Sequence, residues 1–339
     1  MTFTLPPDAE ATTPPEWHGL ARDEVRLLTV RSGAITTTPF HDLPALLEPG
    51  DLVVVNTSAT LPARLAARRA DGVTVPLHVS TTLDDGSWVV EVRRPANDGP
   101  DPGIEPGTVL ALPDGVLLTL VGGFPADQPS RLWRARTDPP TTTVAYLPLH
   151  GVPIRYGYVA GTFPLSAYQN VYAGEPGSAE MASAGRPFTA DLLVRLMVRG
   201  IVVAPIVLHT GVSSPEAHEP PYPERFAVPE TTSRLVTSTR GAGRRVVAVG
   251  TTVTRALESA TDEDGATRAA HGWTDLVLGP DRPARAVNVL ITGLHAPEAS
   301  HLRLLEAVAG VDLVEAAYRR AVAERYLWHE FGDSMLFLP

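Results

Sequence analysis

Apolar residues come in short unbroken runs that stop at polar ones. Residues 246–249 are all apolar and have strand character; Gly250 breaks the run, Thr251 and Thr252 follow, and residues 253–259 continue as a helix. That order sets two hydroxyls and several backbone N–H groups at a helix N-terminus, a ready site for an anion. It is equally the pattern of a plain strand-to-helix turn with a threonine cap. Three other runs end in the same way. Residues 52–55 run into Asn56, residues 201–208 into His209, and residues 287–291 into Thr292, with His295 just beyond. Ligands of mixed α/β sheets gather where strands end and loops begin, so four such ends predict one shared cleft. Each of these residues also has a plainer reading, as a turn residue or as a histidine satisfied by a backbone carbonyl.

Between about residue 64 and residue 144 the pattern changes. Runs at 75–80, 87–93, 108–112, 116–121 and 131–136 are short and partly alternating, and Gly, Pro and Asp separate them. This predicts a small antiparallel sheet or barrel. The rest alternates helix and strand. Residues 189–199 read as a helix capped by Thr189 and closed by Gly200, with Leu192, Leu193, Leu196 and Met197 on one apolar face. Further helices are predicted at 302–309 and 313–325, the latter with Leu313, Ala317 and Ala321 facing inward and Arg319, Arg320 and Glu324 outward. The expected class is therefore α/β: a split main domain, residues 1–63 and 145–339, with an all-β barrel domain inserted at 64–144.

With 339 residues, 44% hydrophobic and 19% charged, the chain can bury a substantial core. It has no cysteine, which removes disulfides, thiol catalysis and cysteine-held metals. The ten histidines show no H-x-x-x-H or H-E-x-x-H spacing, so no metal is expected. All 28 basic residues are arginine, and the net charge is −10. Lysine Schiff-base chemistry is excluded. A broad basic face for nucleic acid is disfavoured, although a local arginine patch suits phosphate. Residues 1–15 lack the pattern of a signal peptide, and no apolar run approaches the ~20 residues that span a bilayer, so a soluble, cytoplasmic protein without membrane contact is expected.

Six segments together resemble the S-adenosylmethionine:tRNA ribosyltransferase-isomerase family of queuosine biosynthesis. They are Pro49-Gly50-Asp51-Leu52-Val53-Val54-Val55-Asn56, Pro62-Ala63-Arg64-Leu65, Tyr168-Gln169-Asn170-Val171-Tyr172-Ala173, Gly250-Thr251-Thr252 through Glu258-Ser259, Leu290-Ile291-Thr292 with His295 and Pro297, and Phe331-Gly332-Asp333-Ser334-Met335. The resemblance covers most of the chain, in matching order and spacing. It implies an enzyme that uses S-adenosylmethionine as a ribosyl donor. The ribosyl moiety passes to the aminomethyl group of a deazaguanine base in tRNA and rearranges to an epoxycyclopentanediol, while adenine and methionine leave. It also implies an inserted β-barrel and a monomer. Such chemistry needs a base near C5′, where the sulfonium acidifies the hydrogens, and a proton donor or hydrogen bond for adenine. The methionine carboxylate needs Arg or backbone N–H groups.

The chain departs from the family inside these motifs. The family's N-D-T-R-V-x-P-A-R-L stands here as Asn56-Thr57-Ser58-Ala59-Thr60-Leu61-Pro62-Ala63-Arg64-Leu65, without the acid and the first arginine. Its A-A-P-T-A-G-L-H-F-T carries Pro187 at the histidine; T-L-H-V-G persists around His209 and is followed by a shortened Ser213-Ser214-Pro215. M-H-x-E becomes Pro221-Tyr222-Pro223-Glu224, and T-N-F-H becomes Thr292-Gly293-Leu294-His295. Pro or Tyr cannot do a histidine's acid–base work at neutral pH. Three functions follow: the family reaction on tRNA, a divergent enzyme with a small-molecule acceptor or lyase activity, and a noncatalytic S-adenosylmethionine-binding protein.

His209 and His295 match family histidines and are the general acid–base candidates. Glu224 is a ribose or proton-transfer group, or a solvated loop carboxylate. Thr251, Thr252 and Arg255 would hold the methionine carboxylate or a phosphate; the alternative is a capped helix with a solvent-facing arginine. Arg64 would bind an anion or bridge domains through a salt bridge. Tyr168 and Gln169 would stack on and hydrogen-bond a purine-like base, or pack in the core. Asp333 would meet a positive group or cap a turn, and Asn56 and Thr292 complete the set of strand ends. His18, His41, His78, His150, His271, His301 and His329 have no supporting context.

Overall fold

The computed structural model describes residues 3–126, 130–212, 221–297 and 299–339; the Ser213-Ser214-Pro215 segment lies outside them. A nine-stranded mixed sheet forms the body. Its spatial order is Ala270–Thr274, Glu224–Val228, Val202–Leu208, Leu52–Asn56, Val246–Val249, Val289–Gly293, Ser334–Leu338, Arg26–Arg31 and Ala34–Pro39. The four strands from Val202–Leu208 to Val289–Gly293 are parallel. Leu52–Asn56 and Val246–Val249, at the centre, are buried on both faces, which is why they read as continuous apolar runs rather than alternating ones.

Alternate residues of these strands feed two cores. Leu52, Val54, Val246 and Ala248 pack with helices Glu230–Gly241, Thr251–Ser259, Ser300–Ala309 and Val311–Ala323. Val53, Val55, Val247 and Val249 pack on the opposite face with helix Ala190–Val198 and Phe188. Among the parallel strands Leu52–Asn56 comes first in the chain but second in space. Connections run to opposite sides of it, which creates a switch point between its end and the end of Val246–Val249.

Six antiparallel strands form a second sheet: Arg64–Arg68, Thr74–Thr82, Trp88–Val92, Val109–Ala111, Leu117–Phe124 and Leu132–Asp138. Their pairing returns on itself as a closed barrel filled by Leu65, Val75, Leu77, Trp88, Val90, Leu118 and Leu120. Arg64 pairs with Val152 where the chain enters and leaves this sheet. A Cβ on Gly151 would meet the Pro62 carbonyl oxygen at 1.8 Å, so only glycine lets the two connections cross there.

Several local expectations are corrected. The helix after Gly250 begins at Thr251, two residues early, with Gly250 as its N-cap and no threonine side-chain cap. Helix Ala190–Val198 is capped by Thr189 as expected, but only Leu192 and Leu196 are buried, and Met197 is 66% exposed. The helix meets the sheet along one narrow stripe, so the flanking apolar positions stay in water. The last helix is Val311–Ala323, and Val314 and Tyr318 join Ala317 and Ala321 inside while Leu313 is only partly covered. Strands Arg26–Arg31, Ala34–Pro39, Glu224–Val228 and Ala270–Thr274 and helices Thr143–His150 and Glu230–Gly241 were not anticipated. The Ser/Thr-rich Glu230–Gly241 has poor intrinsic helix preference and is held by burying Thr232, Ser233 and Val236.

Candidate active site

Because the central strands are parallel, Asn56, His209, Gly250 and Thr292 stand along one rim of the sheet. The antiparallel neighbours bring their first residues to the same rim: Glu224 beside the end of Val202–Leu208, and Ser334, preceded by Asp333, beside Gly293. The barrel abuts the His209 end. Val212 N–H donates to Ser80 Oγ at 3.0 Å, and Asp84 accepts from Trp273 and pairs with Arg225.

His209 is held by a chain of hydroxyls. Thr210 N–H donates to Ser178 Oγ at 3.0 Å; Ser178 Oγ lies 2.5 Å from Ser58 Oγ, and Ser58 Oγ lies 2.7 Å from His209 Nδ1. The buried Ser178 hydroxyl has no acceptor other than Ser58 among the described residues, so it donates to Ser58, and Ser58 donates to Nδ1. That direction leaves the ring proton on Nε2. Burial lowers the His209 pKa, and Arg225 adds to the effect, so the ring is neutral at pH 7 and offers Nε2–H as a donor. Gly177 lies flat under the imidazole, where a Cβ would come within 2.5 Å of the ring.

His295 sits on the far side. Its Nε2 is 2.9 Å from Thr292 Oγ1, its backbone N–H donates to Tyr318 Oη, and its ring stacks on His301 at 4.6 Å. Burial drives its pKa well down, with His301 and His329 adding to the effect. Three interstrand spacings of ~4.8 Å separate the two strands, so their ends lie about 14 Å apart and the two histidines belong to different stretches of the rim. Between them, the N–H groups of Thr251, Thr252 and Val253 have no acceptor among the described residues, and the buried Thr252 Oγ1 is unpartnered. Near the His295 end a pocket is lined by Ser183, Arg186, Pro187, Gly293, Asp333 and Ser334.

The remaining candidates are engaged by the protein itself. Asn56 is buried: its Oδ1 accepts from Leu208 and Ser58 N–H, and its Nδ2 donates to the Leu208 carbonyl. Arg255 does not face solvent. Its guanidinium pairs with Glu224 and donates to the carbonyls of Leu276, Tyr222 and Thr274, so four of its five N–H groups are taken and no two-pronged grip on a carboxylate ligand remains. Glu224 is no solvated loop acid either: its side chain is 15% exposed, and Oε1 accepts from Gly211 N–H two residues after His209. Burial raises its pKa against the opposing pull of Arg255 and that N–H. Gln169 donates to and accepts from the Thr60 backbone rather than facing a base. Tyr168 is buried against Phe331. Asp333 clamps Arg26 and the Leu327 N–H. Arg64 makes no interdomain salt bridge; no hydrogen bond or ion pair is made by its guanidinium among the described residues.

Sequence reasoning missed Ser58, Ser178 and His301. Ser58 lay inside a quoted motif, but nothing along the chain links it to Ser178, 120 residues away. His301 is one helical element beyond His295, a signal too weak to separate from the other histidines.

A mixed sheet with four parallel strands at its centre, and with neutral histidines and an open helix start along their carboxyl rim, defines an α/β protein with a candidate small-molecule site at a switch point. The profile of the family described as "Queuosine biosynthesis protein" matches residues 1–337, and the chain belongs to that family. It is 36% identical over 351 residues to the S-adenosylmethionine:tRNA ribosyltransferase-isomerase of Symbiobacterium thermophilum, covering 99% of this chain and 98% of that one. The protein of that name from Thermus thermophilus is 36% identical over 352 residues with the same coverage. The solved S-adenosylmethionine tRNA ribosyltransferase of Thermotoga maritima matches with a TM-score of 0.55 at 30% identity, over 99% of this chain and 98% of that one.

Proposed function

We propose that the protein transfers the ribosyl moiety of S-adenosylmethionine to the aminomethyl group of a deazaguanine base in tRNA and rearranges it, releasing adenine and methionine. The observation that carries this reading is His209, held neutral with its Nε2–H left for a ligand, on the same rim as the open start of helix Thr251–Ser259. The free N–H groups of that helix suit the methionine carboxylate, since they combine unmet donors with the positive end of the helix dipole. His209 then gives the departing adenine a hydrogen bond from Nε2–H, which a neutral imidazole supplies without losing its proton. Glu224 and Arg255 are positioning residues: their pair fixes Gly211 and so the loop that carries His209. His295, three strands further along the rim, is assigned the proton-handling task at the acceptor amine.

Residues 64–144 are read as a barrel domain inserted into a discontinuous main domain, 1–63 and 145–339. The closed strand order and the crossing of both connections at Arg64, Val152 and Gly151 support this. The barrel's contact with the His209 loop makes it one wall of the acceptor cleft.

A second reading, binding without turnover, draws on Pro187, which lines the pocket beside Asp333 and offers no proton. The deciding experiment incubates the protein with S-adenosylmethionine alone, with tRNA bearing the aminomethyl deazaguanine, and with a panel of small amines, and follows products by mass spectrometry. Adenine and methionine released only with tRNA support the proposal. Release without tRNA refutes the tRNA acceptor in favour of a small-molecule transferase or a lyase, and binding without release supports the second reading.

A further inference from the structure

We infer that Arg64 and Arg155 form a phosphodiester subsite at the neck of the barrel, one that takes the RNA backbone beside the reacting base. This rests on the tRNA reading above.

Arg64 opens the first barrel strand and is half-buried, yet its guanidinium has no hydrogen-bond or ion-pair partner among the described residues. Arg155, three residues beyond the Val152 that pairs with Arg64, lies close enough for its charge to act on Arg64. Its own side chain donates only to the Gly161 carbonyl, at 3.1 Å. Burial and the Arg155 charge both disfavour the Arg64 cation, and the Tyr168 phenol opposes them weakly. A like-charged pair at a partly dry neck is costly unless an anion completes it.

No carboxylate pairs with either arginine among the described residues. Glu91 is held by Arg93 and Arg131, Glu180 accepts from Tyr156, and Glu330 accepts from Tyr158 at 2.6 Å. His78, directly opposite Arg64 on the next strand, is fully buried, with its pKa lowered chiefly by burial, and brings no negative charge.

The ligand is an anion without a cation of its own. The methionine end of S-adenosylmethionine carries an ammonium beside its carboxylate, and two arginine cations repel that ammonium. A phosphodiester needs only donors, and the planar guanidinium fork matches its oxygens. In a chain of net charge −10 without lysine, such a pair gives polyanion binding the local cationic contact that composition alone does not.

The test uses the full chain and a fluorescent anticodon stem-loop RNA carrying the aminomethyl deazaguanine. Affinity is measured against salt for the parent and for R64Q, R155Q and R64K, with S-adenosylmethionine affinity measured in parallel. Loss of one phosphate contact should lower the slope of log K against log salt by about 0.7–0.9. R64Q and R155Q should each bind the RNA several-fold more weakly with S-adenosylmethionine affinity unchanged, and R64K should keep most of the slope. A methylphosphonate scan of the linkages flanking the base should find one position that weakens the parent but not R64Q. R155Q, on a partly exposed loop, guards against misfolding at the neck. Unchanged RNA affinity and slope in both glutamine variants, with an active parent, overturns the subsite alone. Weakened S-adenosylmethionine binding with RNA binding intact overturns it in favour of a methionine carboxylate site. A parent that binds no RNA overturns the tRNA reading and this inference together.

Discussion

Replacing Gly177 by alanine tests the central role of His209 without touching its chemistry. The Gly177 backbone is not in the left-handed region, so the new methyl brings no backbone strain. It does bring a collision: its Cβ would lie 2.5 Å from His209 Cε1 and Nδ1 and 2.8 Å from Cγ. Ordinary carbon contacts are about 3.5–4.0 Å, so the ring must retreat by about 1 Å. The bond to Ser58 is 2.7 Å and cannot survive that retreat along with the present ring plane. Overpacking of this kind costs ~1–3 kcal/mol of stability, whereas a 1 Å misplacement of a reacting group costs on the order of 100-fold in rate. Adenine release by the G177A variant, at saturating S-adenosylmethionine and RNA, should therefore fall about 100-fold. S-adenosylmethionine affinity should change little, and the fold should persist by circular dichroism. A folded variant within twofold of the parent kcat would show that His209 takes no part in the reaction.

Three further outcomes are expected. R255M leaves Glu224 a mostly buried carboxylate with only the Gly211 N–H, which should cost ~3–5 kcal/mol in denaturant unfolding; the R255M/E224M double variant should recover much of it, and a single-variant cost below about 1 kcal/mol would refute a locked pair. His209 and His295 both titrate below the ordinary histidine value of 6.5 when folded, so the unfolded chain binds more protons on acidification. Their contribution to stability is complete above about pH 6.5 and is lost as pH falls toward the folded values, so H295Q should flatten that acid limb in a pH series of thermal unfolding. An unaltered limb would contradict the burial argument. G250A forces a side chain into φ +96°, ψ 163°, with its Cβ 3.2 Å from Ala184 Cβ. It should lose ~1–3 kcal/mol and shift the helix start, which calorimetry would read as weaker S-adenosylmethionine binding; unchanged affinity would place the methionine carboxylate elsewhere.

Much of the body was legible along the chain because doubly buried parallel strands must be apolar throughout. Leu52–Asn56 and Val246–Val249 are visible for that reason alone; Val202–Leu208 is apolar too, although only Ala204, Ile206 and Leu208 are buried in it. The barrel strands were equally visible from their alternation and their Gly, Pro and Asp turns. The edge strands were not, because Ala34–Pro39 carries three threonines and is mostly exposed, so pairing with Arg26–Arg31 rather than composition makes it a strand.

The sequence by itself determined which residues end the central strands, because the end of an apolar run is a local property. That the runs lie parallel, and so bring His209, Thr251, Thr292 and His295 to one rim, was decided by pairing within the sheet. Only the tertiary structure decided what each residue is free to do. Arg255, Gln169, Asp333 and Asn56 have the chemistry of ligand-binding groups, but partners 2 to 307 positions away have taken it up. Arg64 has the chemistry of a salt bridge and was left without one. A side chain's spare hydrogen bonds depend on neighbours brought by the fold, and no spacing along the chain records them.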